Sequence, residues 1–474
     1  MPVDWYRAVR KLTTRAETFL LVAFLLRLAV AVFLPLPDDF MFLMEPGQTA
    51  ANLASGRGYA FDFYGLRLEA PLLAFLPPLH PWLIALALQF PDPALAYSLT
   101  QVVLGTLTVW LLYQLAVGMA GPSVGSLVGW GAALYPPHVL LVSQPHSTVL
   151  HACCLIAVLL ASWQLLKHPG MGYALLTGGL IGLLALGRPQ AVLLLPMIIG
   201  WLWLNRGAGR RAAFGDAREV FSSGPSGARV RPGRAAVGMV LAATVIVLPW
   251  CIRNTLLFGR PTFISTNGGV TFWNGNNPFT TGSAHDVYAD KLAAYRGIER
   301  DPALPDVYQH PEPYPFPSEI EAQVQTMPEV ELDRAAYRAG LDYIRKHPAD
   351  WLRLEGQKLV SFWWFRPNLG ANPIYRDHWT LLYQIQYPFL LVPAIVGLVC
   401  STRKGWRLYA LLYAVVIFYT GTHLVFNVLT RYRWEIELLM ILFAALAVEA
   451  GWRKIRQPHG AARAGRSTAG RRAV

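Results

Sequence analysis

The sequence predicts an all-α polytopic membrane protein with about ten transmembrane helices and an α-rich extracytoplasmic loop domain. Of its 474 residues, 54% are hydrophobic and only 15% are charged. The charges are absent from long blocks: Ala94 to Leu166 contains no Asp, Glu, Lys or Arg, and Thr18 to Leu36 contains only Arg27. A helix needs about 20 apolar residues to cross a bilayer. These blocks exclude a soluble enzyme, a disulfide-rich secreted domain and a disordered chain.

The distribution of basic residues predicts the orientation. Residues 206–234 hold seven arginines against two acids, and residues 453–474 hold seven basic residues and no acid. Under the positive-inside rule both segments are cytoplasmic, as is the N-terminus, whose basic flank and long apolar run we interpret as a retained signal anchor. We therefore expect a multi-pass membrane protein with both termini in the cytoplasm, and the family resemblance given below implies a bacterial plasma (inner) membrane. The predicted spans are 17–36, 97–118, 123–142, 146–165, 172–187, 189–205, 235–257, 379–400, 407–428 and 434–452.

These spans divide the chain into four parts. An N-terminal transmembrane module covers 1–258 and includes a first outer loop at 37–96. An extracytoplasmic domain covers 259–378, with 12 basic and 15 acidic residues between 259 and 377. It contains turn signals and two helical patterns at 329–346 and 349–364. The C-terminal transmembrane helices (379–452) and the basic cytoplasmic tail (453–474) follow.

The segment 72–91 allows two interpretations. It is apolar but is interrupted by Pro77, Pro78 and Pro81. If the segment is a re-entrant or interfacial helix, the chain crosses the membrane ten times, which agrees with the orientation predicted from the charges. If the segment spans instead, 172–205 must form one kinked helix.

Three carboxylates follow the first predicted span on its outer side: Asp38, Asp39 and Glu45. An ionisable group at a membrane interface near a cavity is a candidate for function, and a carboxylate can accept the proton of an attacking hydroxyl or amine. The alternative is a solvated helix end, where acidic residues are common.

Cationic, aromatic and amide side chains form a second group of candidates. Arginine binds phosphate oxygens with two parallel hydrogen bonds, although it is also a common anchor at the ends of membrane helices. Asparagines beside aromatic residues suit a sugar site, but tight turns use the same residues for backbone reasons. The histidine spacing supports no metal site, and the four cysteines indicate small apolar packing residues. The candidate substrate-binding residues are Arg57, Tyr59, His80, Arg188, Asn276, Asn277, Arg431 and Arg433.

Several motifs, in order, resemble the bacterial GT-C class of membrane glycosyltransferases, the family 39-like relatives of protein O-mannosyltransferases and aminoarabinose transferases. The segment at 249–282 is the most similar, since it follows the pattern of a Pro-Trp, an Arg-Asn and two glycine–asparagine turns. The stretches that carry the resemblance are TAANLASGRGYAF (49–61), LPPLHPWLIALALQF (76–90), LGRPQAVLLLP (186–196), PWCIRNTLLFGRPTFISTNGGVTFWNGNNPFTTG (249–282), GLDYIRKHPADWLRLEGQKLVSFW (340–363) and RYRWEIELLMILFAALA (431–447).

The resemblance implies a GT-C-like fold and an inverting transfer of a sugar from a polyprenyl-phosphate donor to a lipid, glycan or protein at the outer face. It also implies an acidic base in the first outer loop. Where relatives usually carry that acid this chain has Phe42, so Glu45 is our first choice and Asp39 our second, with Asp38 beside it. We expect no cofactor or metal. The expected partners are membrane lipid and the lipid-linked donor, and not nucleic acid.

Two other functions remain open at this stage. A lipid-linked glycan transporter or flippase would share an arginine-rich outer cavity, but no internal repeat is evident and the second to fourth predicted spans are uncharged. A non-catalytic relative that acts as an assembly partner is the other alternative, because the usual acidic residue is missing.

Overall fold

The computed structural model describes residues 16–36, 45–62, 70–206, 230–282, 316–364 and 378–456. Within these ranges the chain is almost entirely helical, and the β-structure consists of one isolated bridge between Phe61 and Leu72. This confirms the predicted all-α class. The helical run His378–Val425 is broken at Gly405, where φ is 155°, and its two halves are numbered separately. The helices are α1 (Ala16–Phe33), α2 (Glu45–Ala54), α3 (Leu79–Ala87), α4 (Pro93–Ala120), α5 (Pro122–Ala133), α6 (Pro136–Leu140), α7 (Thr148–Lys167), α8 (Met171–Ala185), α9 (Leu194–Asn205), α10 (Pro232–Phe258), α11 (Gly268–Gly275), α12 (Ser318–Glu321), α13 (Glu329–Lys346), α14 (Pro348–Trp363), α15 (Leu382–Arg403), α16 (Gly405–Val425) and α17 (Thr430–Arg456).

Helices occupy all ten predicted spans. Six of them, α1, α4, α7, α10, α15 and α16, are long and apolar enough to cross a membrane, and α8 and the run Pro189–Asn205 are shorter apolar helices. The predicted span 123–142 is interrupted after α5, because Pro136 and Pro137 lack the backbone N–H that a continuous helix requires. The predicted span 434–452 lies inside α17, whose first turns carry four charged side chains.

The segment 72–91 contains only the nine-residue helix α3. At a rise of 1.5 Å per residue this helix is about 14 Å long, roughly half the thickness of the hydrocarbon layer. The backbone N–H of Leu79 donates to the carbonyl of Leu186, 3.0 Å away. The helix therefore rests against the link between α8 and the following 3-10 turn, and the re-entrant or interfacial position of the segment stays a prediction.

The helix bundle has one end at which its polar connections gather. The loop segment before α3, the turn between α6 and α7, the start of the Pro189–Asn205 run and the α16–α17 link all lie there, together with α11, α13 and α14. Backbone hydrogen bonds join these parts: Thr266 N–H donates to Ala74 at 3.0 Å, and Val428 N–H donates to Gly282 at 3.0 Å. We call this end of the bundle the loop-domain end.

Helices α11 and α13 pack together in the core of the part outside the bundle. Gly269, at the start of α11, approaches α13 so closely that a Cβ on it would lie 1.8 Å from the carbonyl oxygen of Asp333. The Gly269 N–H donates to the Asp333 carboxylate at 2.6 Å. Burial outweighs this hydrogen bond and raises the pKa of Asp333 to about 6. The absence of a side chain at Gly269 thus allows α11 to pack closely on α13.

Candidate functional site at the loop-domain end

A chain of hydrogen bonds at the loop-domain end joins four separate segments. His80 on α3 lies with its Nε2 atom 2.9 Å from the hydroxyl of Tyr97 on α4. That hydroxyl donates to the backbone carbonyl of His146, 3.3 Å away, and Gln101 donates to the same carbonyl at 3.2 Å. The His146 ring in turn contacts Arg431 on α17, with 3.2 Å between Nε2 and Nη1. The first outer loop and the last helix are therefore connected through buried polar groups.

A buried ion pair lies beside this chain. Arg188, just after α8, contacts the carboxylate of Glu435 on α17, and the Glu435 side chain is completely buried. The ring of His151 on α7 has its Nδ1 atom 3.8 Å from the same carboxylate. Tyr432 lies between the two arginines, with its ring centroid 5.7 Å from the guanidinium carbon of Arg188 and 5.6 Å from that of Arg431. The arrangement brings two guanidinium groups within 6 Å of the centroid of one aromatic ring.

Arg433, two residues after Arg431 on α17, has a different environment. Its side chain is fully buried, and its Nε donates to the Glu437 carboxylate at 2.6 Å. The same carboxylate accepts hydrogen bonds from the hydroxyls of Tyr135 and Tyr383. The guanidinium also contacts the carbonyl of Phe362. Its charge is thus neutralised within the protein, where it joins α14, α15 and α17.

Tyr59 and Arg253 lie at the same end, beside the loop that precedes α3. The Tyr59 hydroxyl donates to the Leu76 carbonyl at 3.0 Å, and Arg253 Nη1 donates to the Leu73 carbonyl at 2.7 Å. The Arg253 guanidinium carbon lies 5.6 Å from the centroid of the Tyr59 ring. Burial raises the pKa of Tyr59 well above its ordinary value, so the phenol stays protonated. These contacts hold the segment between the Phe61–Leu72 bridge and α3.

A carboxylate from the outer domain holds the other side of the segment between the Phe61–Leu72 bridge and α3. Glu329, the first residue of α13, accepts hydrogen bonds from the N–H groups of Leu73 and Ala74 at 2.6 and 3.0 Å and from the Thr266 hydroxyl. Burial raises the pKa of Glu329, although these hydrogen bonds oppose the shift. The first outer loop is therefore fixed between α10 and α13.

Asn276 and Asn277 have saturated hydrogen-bonding capacity. The Asn276 amide donates to two carbonyls at 2.9 Å, and its oxygen accepts from Trp351 at 3.1 Å and from the buried Lys358 at 3.2 Å. The Asn277 amide donates at 2.9 and 3.2 Å, and its oxygen accepts two backbone N–H groups at 2.8 Å. An asparagine side chain offers two donors and two acceptor lone pairs. Both residues stabilise the turn, and sugar binding by either stays a prediction that requires these bonds to break.

Glu45 and Arg57 make no hydrogen bond within the described chain of contacts from His80 to Arg431. Asp38 and Asp39 are outside the described residues. Glu45 is the first residue of α2 and is half-buried. Arg57 is exposed on the turn after α2, where its Nε donates to the Ser55 hydroxyl at 3.0 Å. The assignment of the base and of Arg57 as a substrate ligand stays a prediction.

Sequence reasoning missed several residues of this site, above all Glu435, Glu437 and His151. A signal was present, because the last predicted span begins with two acids in WEIELLM. A carboxylate within a membrane-spanning segment is normally paired or functional. Its partners lie on other helices, however, and the sequence does not reveal which arginine each acid meets.

Arg431 is a cation at this site that is available for a ligand. In the described part of the chain no carboxylate lies within 4.0 Å of it, whereas Arg188 and Arg433 each have a glutamate partner. Arg431 is half-buried beside His146 and Tyr432. A guanidinium group in such surroundings can bind an anionic oxygen more strongly than one in water. Over the same described ranges, no group of three His, Cys, Asp or Glu side chains is placed to hold a metal ion.

Comparison with known proteins is informative at the level of fold. Residues 76–214 match the sequence model of the family described as dolichyl-phosphate-mannose-protein mannosyltransferase. No curated protein matches the chain in sequence. The oligosaccharyltransferase of Archaeoglobus fulgidus in the apo form aligns with a TM-score of 0.51 and 15% identity, over 93% of this chain and 51% of its own.

Two further solved structures align over most of the chain. Archaeal AglB from A. fulgidus, in complex with an inhibitory peptide and a dolichol-phosphate, aligns with a TM-score of 0.51 and 12% identity, over 93% of this chain and 50% of its own. ArnT from Cupriavidus metallidurans, bound to undecaprenyl phosphate, aligns with a TM-score of 0.39 and 13% identity, over 93% of this chain and 78% of its own. The chain spans about half the length of the archaeal enzymes. It has the fold of the GT-C membrane glycosyltransferases, and its residues 76–214 carry the sequence pattern of the dolichyl-phosphate-mannose-protein mannosyltransferase family.

Proposed function

We propose that this protein transfers a sugar from a polyprenyl-phosphate donor to a lipid, glycan or protein acceptor at the outer face of a bacterial plasma membrane, with inversion at the anomeric carbon. One observation carries the proposal: Arg431 is a half-buried guanidinium group with no carboxylate within 4.0 Å among the described residues, at the loop-domain end of an apolar helix bundle. That environment suits the phosphate of a lipid whose chain lies in the bilayer.

The relatives support this substrate class. The family that matches residues 76–214 is named for a dolichyl-phosphate-linked mannose donor. An archaeal enzyme of the same fold has been solved with a dolichol-phosphate. Polyprenyl phosphates share with dolichol phosphate a long apolar chain and one phosphate group, and a cation at the edge of an apolar bundle meets both requirements.

The transfer requires one bond to form and one to break. The acceptor oxygen or nitrogen attacks C1 of the sugar while its proton passes to a carboxylate, with Glu45 as the first candidate and Asp39 or Asp38 as alternatives. The bond between C1 and the phosphate oxygen breaks on the opposite face, and the polyprenyl phosphate leaves with an additional negative charge. Arg431 stabilises this charge as it develops.

The network around Arg431 orients it for this role. Tyr97 and Gln101 hold the backbone of His146, and the His146 ring contacts the guanidinium group. The buried Glu435 compensates the charge of Arg188, so that Arg188 can lie near Tyr432 without an unpaired charge in the bundle. We therefore assign His146 and Arg188 to positioning and not to proton transfer.

A transfer assay with the purified full-length protein and a radiolabelled polyprenyl-phosphate sugar tests the proposal. Loss of one charge-stabilising donor typically lowers the rate of an enzyme by about 10²–10³-fold, and we expect a decrease of that order in kcat/KM for Arg431→Gln. We expect Glu45→Gln combined with Asp38→Asn and Asp39→Asn to abolish transfer, because none of the candidate carboxylates then accepts the proton. The variants should retain the helix content and the elution volume of the wild type.

Arg260→Gln is the matched control, because Arg260 is a partly exposed arginine whose partner, Glu331, lies on the outer domain. It should transfer sugar at the wild-type rate. Full activity of Arg431→Gln would contradict the role of this residue in phosphate binding. Movement of the donor across vesicles without transfer to any acceptor would instead identify a transporter, and absence of both activities would favour a non-catalytic relative.

A further inference from the structure

A second site lies at the opposite end of the bundle from the loop-domain end. A cavity of about 340 Å³ opens there between the end of α7 and the starts of α8 and α10. It belongs to none of the hydrogen-bond networks described above. Its lining includes Leu165, Met171, Ala174, Val230, Arg231 and Arg234.

The charged residues of this lining are both cationic. Arg231 is the N-cap residue of α10 and Arg234 lies in its first turn, and both line the cavity. Both are exposed, and in the described ranges no carboxylate lies within 4.0 Å of either. On this lining the two guanidinium groups reinforce each other's attraction for an anion, since nothing described nearby neutralises them.

The rest of the cavity is apolar. Leu165 and Ala174 are 1% exposed, and Val230 and Met171 complete the wall. The apolar surface continues away from the arginines along the outside of the bundle, where Val237 and Leu241 of α10 are each 57% exposed. The cavity therefore combines a cationic rim with an apolar path about as long as two helical turns.

Close packing of α8 and α10 creates this geometry. A Cβ on Gly178 would lie 2.1 Å from the carbonyl oxygen of Met239, and a Cβ on Gly182 would lie 2.9 Å from that of Ala243. The two helices run in the same direction and begin at the same end of the bundle. Their positive dipole ends add to the field of the two arginines.

We propose that this cavity binds the headgroup of an anionic phospholipid in the leaflet on that side of the membrane. The phosphate lies between Arg231 and Arg234, and the acyl chains lie along the exposed apolar face of α10. Basic pockets between transmembrane helices are suited to anionic headgroups. A free phosphate ion would satisfy the arginines but would leave the apolar wall exposed to water. The site is independent of the proposed sugar transfer.

Lipid binding to the full-length protein in detergent tests this proposal by native mass spectrometry and by thermal unfolding. The probes are phosphatidylglycerol, phosphatidylcholine and inorganic phosphate. We expect phosphatidylglycerol to bind the wild type on the order of tenfold more tightly than it binds R231Q/R234Q, since each basic side chain near a membrane surface contributes appreciably to binding an anionic lipid. R231K/R234K, which keeps both charges, should lose less affinity than the glutamine pair.

Arg453→Gln is the matched control at the same end of the bundle, because Arg453 is already paired with Glu449 at 2.9 Å. It should bind phosphatidylglycerol like the wild type. Equal affinity of the wild type and R231Q/R234Q would overturn the proposal and would leave the two arginines as determinants of topology only. Two results with the wild type alone would also overturn the proposal. One is equal thermal stabilisation by phosphatidylglycerol and phosphatidylcholine, and the other is stabilisation by inorganic phosphate as large as that by phosphatidylglycerol.

Discussion

Two Arg–Glu pairs on α17 have the same four-residue spacing and opposite environments. Arg433 and Glu437 are fully buried, with 2.6 Å between their closest nitrogen and oxygen. Arg453 and Glu449 are separated by 2.9 Å, but the Arg453 side chain is 61% exposed. Water screens the second pair and not the first. The same chemical pair therefore has different consequences for stability at the two ends of one helix.

Glu437→Gln is expected to destabilise the protein strongly. The substitution leaves the charge of Arg433 buried without a counter-charge, and removal of one partner from a buried pair costs about 3–5 kcal/mol. The glutamine amide also places a donor where two tyrosine hydroxyls donate. Denaturant titration of the wild type and the variant in detergent micelles measures the difference in their free energies of unfolding.

Glu449→Gln on the same helix is the control for this prediction. An exposed pair at this spacing contributes about 0.3–0.5 kcal/mol, so the variant should unfold close to the wild type. Similar destabilisation by the two substitutions would show that Glu437 does not compensate Arg433 in the folded protein.

At the scale of elements, the contact between α8 and α10 depends on glycine. Gly178 faces the backbone of Met239, whereas the neighbouring Gly179 has no atom within 4 Å of the position of a Cβ. Small residues allow membrane helices to approach closely, so that van der Waals contacts replace the hydrophobic effect that operates in water. Two adjacent glycines of one helix thus differ in what a methyl group would meet.

Gly178→Ala is expected to force α8 and α10 apart. A Cβ at 2.1 Å from a backbone oxygen cannot be accommodated without movement of a helix, and overpacking of a well-packed interior costs about 1–3 kcal/mol. The thermal unfolding temperature in detergent should fall. Because the two helices also form the cavity with Arg231 and Arg234, the affinity for phosphatidylglycerol should fall with it.

Gly179→Ala serves as the comparison one residue away. It adds the same methyl group in open space and replaces glycine by a better helix former, which stabilises by about 0.4–1 kcal/mol. An unfolding temperature for Gly178→Ala as high as that of Gly179→Ala would contradict the proposed close contact.

At the scale of the whole molecule, six of the described helices are long and apolar enough to cross a membrane, and the charges predict which end of the bundle is cytoplasmic. Arg206, Arg231 and Arg453 lie at one end of the bundle, while α11, α13 and α14 gather at the other. Basic residues are retained on the cytoplasmic side during insertion. The outer domain and Arg431 are therefore expected outside, where a lipid-linked donor meets an acceptor.

Reporter fusions measure this orientation. Alkaline phosphatase fused after Glu321 should be active, because the enzyme requires export, and the same enzyme fused after Arg206 should be inactive. A fluorescent protein that matures only in the cytoplasm should fluoresce when it is fused after Val474. The reverse pattern would place Arg431 on the cytoplasmic side and would exclude sugar transfer at the outer face.

The sequence by itself determined the membrane class, the approximate positions of the bundle helices and the helices α13 and α14 of the outer domain. Each of these follows from consecutive residues: apolar runs near 20 residues long and helical spacing of apolar positions. Even the break at Pro136 was readable in principle, because a proline acts on its own turn of the helix.

Only the tertiary structure decided which charges are neutralised. Arg188 meets Glu435 across 247 positions of sequence, and Arg433 meets Glu437 and two tyrosines of α15. Arg431, in contrast, has no carboxylate within 4.0 Å in the described ranges. The tertiary structure also decided the surroundings of Asn276. The turn pattern marked this residue as a sugar ligand, but packing gives its side chain four hydrogen-bond partners. The physical reason is that pairing depends on the distance between side chains from separate helices, and that distance is fixed by packing and not by local sequence.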